Sequence, residues 1–250
     1  MIEDFINGDK FKQLCDFNFK NPQFRLDKKS YIIYSDLDRY VDAISFASQH
    51  RDKDFVLVSH NGDKTVEYTG LPMNIKAWYT QNLNFTDDRV FALPIGLENP
   101  QWHPYKISMM KACEPAPKRL SKGFCQLNLG TNKNARLGMI EELERQDIAF
   151  DYYPAINGQD FVSYLQNLNL YKYCFCPRGN GIDTHRIWEA LYMGCVPVVN
   201  RHMTHNFIDC DLPVLFVDGW EDFKYQETYG NFNSKLLTME YWKNRICQSL

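Results

Sequence analysis

A chain of 250 residues with 44% hydrophobic and 15% aromatic side chains holds enough apolar material for one large or two small packed domains, which excludes a disordered segment. Its formal net charge of −3 excludes a general attraction to nucleic acid or to an anionic membrane surface, so any anion site is local. No stretch reaches the roughly 20 apolar residues that span a bilayer, and the acidic opening Met1-Ile2-Glu3-Asp4 leads into no sustained apolar run, so no secretory segment is expected.

Residues 1 to 29 are polar with interspersed aromatics, Phe5, Phe11, Phe17, Phe19 and Phe24, and read as a lead-in that packs on the domain without forming a strand. Ser30 to Tyr34 then predicts a strand, followed by Ser35-Asp36-Leu37-Asp38. An Asp-x-Asp after a strand is one way to hold a divalent ion. A helix start explains the pattern better. Ser35 or Asp36 suits a cap, Asp38 the first turn, and Tyr40, Val41, Ile44 and Ala47 follow at helical spacing, so no metal ligand is assigned.

Asp54 to Ser59 predicts the next strand and delivers His60-Asn61-Gly62-Asp63 at its carboxyl end, where ligands collect in open α/β sheets. A turn explains Asn61 and Gly62 but not the flanking His60 and Asp63, which makes this the leading polar group of the first half. Asn74 to Gln81 reads as a short helix carrying Trp78 and Tyr79 as packing residues. Val90 to Pro94 reads as a strand; beyond it Gly96 lets the backbone approach a ligand, and Glu98 is a reserve acid-base group. Pro115-Ala116-Pro117 with Lys118-Arg119 reads as a linker, giving domains 1–117 and 118–233 followed by a terminal helix in 234–250.

In the second half Phe124 to Leu129 predicts a strand, then a polar loop with Thr131, then a helix from Ala135 to Gln146 that opens on Arg136. Ile148 to Tyr153 reads as a strand, Asp160 to Asn167 as a helix, Val214 to Val217 as a late strand, Trp220 to Phe223 as the start of a short helix and Ser234 to Gln248 as the last helix. The densest information lies in Tyr173 to Asn200, which parses as strand, loop, helix, turn, strand. Its loop Arg178-Gly179-Asn180-Gly181 precedes a helix capped by Asp183 or Thr184, and Gly194 supplies a left-handed stop. Such a turn aims free N–H groups and the positive helix end at one point, an anion site to which Arg178 and Arg186 add charge. Asp183, Arg186 and Glu189 share one helix face, suited to a ligand with phosphates and sugar hydroxyls; an ordinary crossover with a solvated polar face is the alternative. Eight cysteines are scattered without a pairing framework; Cys174, Cys176 and Cys195 sit in apolar runs, as buried thiols of a reducing, cytoplasmic protein do. Cys174 and Cys176 are expected to point to one face of their strand.

Arg178-Gly179, Asp183-Thr184, Arg186, Glu189-Ala190-Leu191 and Gly194-Cys195-Val196-Pro197-Val198 resemble the signature of the exostosin-like glycosyltransferases, family 47 of the sugar-nucleotide-dependent enzymes. Phe55 to Asp63, Ile75 to Asn82 and Ala92 to Asn99 resemble their first half more thinly. The resemblance implies an α/β fold of two Rossmann-like domains with parallel sheets facing a cleft, the GT-B architecture, with the last helix crossing back to the first domain. It looks like a compact, soluble microbial or viral form.

That resemblance further implies transfer of a sugar from a nucleotide diphosphate donor, a UDP-sugar such as UDP-xylose, UDP-glucuronate or UDP-galactose, to a glycan hydroxyl. The expected course is inverting, metal-independent and free of cofactors, with no nucleic acid and no membrane span involved. Asp63 is the expected base, with His60 next; Asn61, Gly96 and Glu98 fall on the acceptor side. Arg178, Gly179, Asn180, Asp183, Thr184, His185, Arg186, Glu189, Arg136 and Thr131 are the expected donor contacts, Glu189 by accepting from ribose hydroxyls. A retaining or GDP-sugar, fucosyl-type transferase would share this donor site, and so would a nucleotide- or glycan-binding protein without turnover.

Overall fold

The computed structural model describes residues 4–19, 25–67, 70–114, 116–155, 161–201, 212–225 and 233–250. Phe24, Pro115 and Asp160, assigned above to the lead-in, the linker and a helix start, lie outside them. The chain divides into two compact units, the first reaching Glu98 and including Ser234–Leu250, the second running from Asn99 to Asn233. The division falls earlier than the expected linker, because the segment after Asn99 is committed to the second unit. Arg119 is the reason at its far end: its guanidinium donates to the Leu168 carbonyl at 2.7 Å, to the Tyr171 carbonyl at 3.0 Å and to the Met193 carbonyl, tying two connections of the second sheet together.

The first unit is a parallel sheet of five strands in sequence order: β1 Phe17–Asn18, β2 Ser30–Asp36, β3 Asp54–His60, β4 Ile75–Thr80 and β5 Val90–Ala92. Two expectations are corrected here. The lead-in supplies a short helix, α1 Gly8–Leu14, and then β1, a two-residue edge strand too brief for any periodic signal. The stretch read as a helix over 74–81 is β4, with Trp78 opposite Leu57 and Tyr79 opposite Val58 of β3. A strand buried on both faces loses the polar alternation that identifies it in sequence.

Alternation survives in what those two rings touch. Trp78 stacks on Tyr40 of α2 Tyr40–Gln49 at 5.1 Å and donates its indole N–H to Ser59 Oγ at 2.8 Å. Tyr79 instead shares a hydrogen bond of 2.8 Å with Ser249, just past α7 Met239–Cys247, so the terminal helix packs on this unit. A 3-10 turn, Leu37–Arg39, separates β2 from α2; Ser35 ends inside β2, and neither Asp36 nor Arg39 makes a side-chain cap bond. The expected cap is therefore absent, and Val41 lies on the exposed side of α2.

The second unit alternates strand and helix: α3 Lys106–Ala112, β6 Leu120–Leu127, α4 Lys133–Arg145, β7 Phe150–Pro154, α5 Phe161–Leu170, β8 Tyr171–Phe175, α6 His185–Tyr192, β9 Val196–Asn200 and β10 Leu215–Val217. The strand order is β10-β9-β8-β6-β7, all parallel. Leu127, Met139, Leu143, Tyr173, Phe175, Val198 and Trp220 form its apolar core. After α6, Gly194 takes a φ of 69°, the Cys195 N–H reaches the Ala190 carbonyl at 2.9 Å and the Gly194 N–H the Leu191 carbonyl at 3.1 Å. That paired closure needs a left-handed residue, and glycine adopts it without a Cβ clash. Two parallel α/β sheets built in this way are the twin Rossmann-like arrangement expected from the sequence.

Candidate functional site

In the second sheet the chain leaves β6 toward β7 on one side and leaves β8 toward β9 on the other, so the connections after β6 and β8 diverge. Such a reversal opens a crevice at the carboxyl ends of the strands, the place where open α/β sheets bind ligands. The loop after β6 and the loop after β8 meet there. Asn132 caps α4 with φ 47° and donates its amide to the Gly179 carbonyl at 2.9 Å. A Cβ built on Gly179 would stand 3.2 Å from Arg136 Nη2 and 3.8 Å from methyls of both Thr131 and Thr184. Thr131, Arg136, Gly179 and Thr184 are thus brought to one point, with glycine where the loops touch.

The crevice is cationic and incompletely satisfied. Arg136 donates to the Asn128 carbonyl at 2.6 Å and Arg186 to the Gln126 carbonyl at 2.7 Å, both at the end of β6 or just after it. Burial first, and then the nearby Arg186 charge, bring Arg136 down to about 10. Among the described residues, Nε of Arg178, Nε of Arg186, Oγ1 of Thr184 and Oε1 of Gln126 are buried without a hydrogen-bond partner. Buried polar atoms are normally paired, and four lapses around two converging loops point to a polar ligand. The guanidinium of Arg178 reaches back to the Asn180 carbonyl at 3.3 Å, leaving Asn180 itself exposed.

Other expected members have different surroundings. Thr184 occupies the α6 cap position without a side-chain cap bond, and Asp183 is buried with both carboxylate oxygens accepting from the Trp188 indole at 3.0 and 3.1 Å. Through Trp188, Asp183 pins the loop to the body of α6. His185 is half-buried in the first turn. Glu189 is buried and not on a solvated face: Lys106 Nζ lies 2.6 Å from Oε1, and the Tyr164 hydroxyl donates to Oε2 at 2.8 Å. Burial alone would raise this carboxyl, but the attraction and hydrogen bond of Lys106, with His185 and Arg186 behind it, outweigh burial and hold it at about 2. Lys106 and Tyr164 were invisible in the sequence, because one sits in an irregular connection and the other reads as helix core.

In the first unit, His60 is buried and its ring is fully engaged: Nε2 lies 3.0 Å from the Pro94 carbonyl and Nδ1 2.7 Å from the Asn61 N–H. Nδ1 also lies 3.1 Å from Asn61 Oδ1, so both ring nitrogens are engaged by groups of the chain itself. Those contacts hold the His60 ring against the segment after β5 and against its own turn. Asn61, at φ 59°, also donates its N–H to Gln81 Oε1 at 3.0 Å, while Gln81 and Asn82 donate to the Gly62 carbonyl at 2.8 and 3.1 Å. That clasp fixes the turn and leaves Asn61 and Asp63 exposed just beyond β3. Gly96 has φ 66° and a Cβ there would stand 2.3 Å from the Ile6 carbonyl oxygen, so its close backbone neighbour is the chain itself. Glu98 is half-buried.

Among the described residues no three His, Cys, Asp or Glu side chains are grouped to hold a metal, and no helix is long and apolar enough to cross a membrane. Cys174 and Cys176 do share a face, their sulfurs 3.8 Å apart.

A probable glycosyltransferase of Arabidopsis thaliana is 34% identical over 67 residues, 27% of this chain and 13% of that protein. Another from the same plant is 25% identical over 119 residues, 48% of this chain and 22% of that protein. The chain thus matches less than a quarter of the length of either relative. The Exostosin GT47 domain matches residues 48–207, which takes in the turn after β3, the crevice loops and α6. With well over half its length covered, and the crevice inside the matched span, this chain belongs to the exostosin GT47 family.

Proposed function

We propose that this protein is a glycosyltransferase that moves a hexose or pentose from a UDP-sugar, such as UDP-xylose, UDP-glucuronate or UDP-galactose, to a glycan hydroxyl with inversion. The observation that carries the proposal is the cluster of one buried and two half-buried arginines, two of them with a buried Nε that lacks a partner, at the point where the second sheet reverses its order. A diphosphate supplies the acceptors that Arg178 and Arg186 lack, and relieves the mutual repulsion of Arg136 and Arg186. Family membership and the two plant relatives, named as probable glycosyltransferases, support the same class of reaction.

The donor is held by Thr131, Arg136, Arg178, Gly179, Thr184 and Arg186, with Asn180 and His185 at the edge of the loop and Glu189 toward the ribose. Asp63 takes the proton from the acceptor hydroxyl as its oxygen attacks the anomeric carbon. The bond from that carbon to the β-phosphate oxygen breaks, and the arginines with the α6 N–H groups stabilise the departing UDP. Asn61 and Glu98 contact the acceptor. The cations take the part a divalent ion would play, so neither metal nor cofactor is required. Seven described cysteines are free thiols, which supports a cytoplasmic setting.

The test is a calorimetric titration with UDP and with uridine, each with and without EDTA. UDP is expected to bind at least ~10-fold more tightly than uridine, equally well with EDTA, and Arg186→Ala to erase the difference. Equal affinity for UDP and uridine in the wild-type chain would remove the basis for a diphosphate site.

A further inference from the structure

Helix α3 lies outside the strand-loop-helix units that build the crevice, yet it sends one charged side chain into the body of the second unit. Lys106 is buried, its ammonium 2.6 Å from Glu189 Oε1 and 4.7 Å from the centre of the Phe161 ring at the start of α5. Tyr164, one turn further along α5, donates to the other oxygen, Glu189 Oε2, at 2.8 Å. A carboxylate has about four acceptor positions, two on each oxygen. Lys106 and Tyr164 take one on each, which leaves one acceptor position on each oxygen, a fork for two hydroxyls. Glu189 itself follows His185 and Arg186 by one helical turn, which sets the fork on the same face of α6 as the crevice residues.

We infer that Lys106 and Tyr164 are positioning residues of the donor site, which clamp Glu189 as an oriented acceptor pair for the ribose 2′- and 3′-hydroxyls, so that α3 is part of the nucleotide-recognition apparatus. The inference rests on the donor reading above. Three features support the clamp over a simple core ion pair. Lys106 holds Glu189 ionised and therefore acceptor-only. Burial, and then the Glu189 charge, raise Tyr164, which stays a hydroxyl donor. The Phe161 ring fixes the ammonium, and the ring of His103 stacks on that same ring at 6.4 Å. A buried ion pair is on its own a weak source of stability, and a common reason to retain one is the geometry it enforces.

The test compares binding of UDP and of 2′,3′-dideoxy-UDP to the wild-type chain, Lys106→Met, Lys106→Arg and Tyr164→Phe. Wild type is expected to prefer UDP by about 10-fold to 100-fold, the worth of hydrogen bonds to a charged acceptor. Lys106→Met is expected to shrink that preference toward unity, Tyr164→Phe to reduce it, and Lys106→Arg to keep most of it. The ratio of two ligands on one variant is unaffected by the fraction folded, and Tyr164→Phe removes only a hydroxyl should Lys106→Met fold poorly. An equal loss for both ligands in these variants would overturn the clamp and leave a purely structural ion pair, with the donor site intact. A wild-type chain that binds neither nucleotide overturns the donor reading and the clamp together.

Discussion

Glu189→Gln is expected to destabilise the protein by about 3–5 kcal/mol, the cost of leaving one member of a buried ion pair without its partner. The amide keeps the size of the carboxylate but not its charge, so the Lys106 ammonium stays buried against a neutral group. Replacing both members by apolar residues, Lys106→Met with Glu189→Leu, is expected to recover most of the loss, because neither charge is then stranded. The pH dependence has a definite sign. Glu189 is lowered to about 2 in the folded chain, against about 4.3 for an ordinary glutamate. Its contribution is therefore complete above the ordinary value and is lost as pH falls from there toward the folded one. Urea unfolding at pH 7 and at stepped pH below 5 measures both effects. A Glu189→Gln chain within about 0.5 kcal/mol of wild type, the range of an ordinary surface change, would contradict the buried pairing.

Asp63→Asn is expected to slow sugar transfer by about 10²-fold to 10⁴-fold, the contribution of one positioned general base, while UDP affinity changes less than about 2-fold, within the ordinary effect of an exposed surface substitution. Asp63 sits in the first unit on the turn clasped by Gln81 and Asn82, and the clustered arginines sit in the second, so base and donor affinity are separable by mutation. His60→Asn distinguishes the roles within the turn. A base lost at His60 would abolish transfer at full stability, whereas the His60 hydrogen bonds to Pro94 and Asn61 place its loss in the unfolding midpoint.

Much of this arrangement is legible in the amino acids. The stretch from Tyr173 to Asn200 announces itself because a glycine-bearing turn, an amphipathic helix and a left-handed glycine fall in the order that one βαβ unit demands, and Gly194 has the φ its place requires. The loop before Arg136 is legible by the same pattern. What escapes is what depends on neighbours distant in sequence. Trp78 and Tyr79 belong to a strand covered on both faces, so no alternation marks it, and only the pairing with Leu57 and Val58 decides between strand and helix.

Gly96 and His60 have surroundings that are hidden for a related reason. A left-handed glycine and a histidine at a strand end look like ligand groups, but Ile6 closes on the one and Pro94 on the other, contacts that no local pattern records. Lys106 is the opposite case. Nothing in Pro104-Tyr105-Lys106-Ile107 distinguishes it from a solvated lysine until α3 folds against α5 and buries it on Glu189.

The measurement that bears most directly on the central claim is product formation by the purified chain over a panel of UDP- and GDP-sugars with simple glycoside acceptors, in EDTA, with the anomeric configuration read by NMR. Turnover with a UDP-sugar is expected, with an inverted linkage in the product and loss of product in both Asp63→Asn and Arg178→Ala. Product of retained configuration, undiminished in Asp63→Asn, would contradict the assignment of the base, and tight UDP binding without product from any donor would contradict the assignment as a transferase.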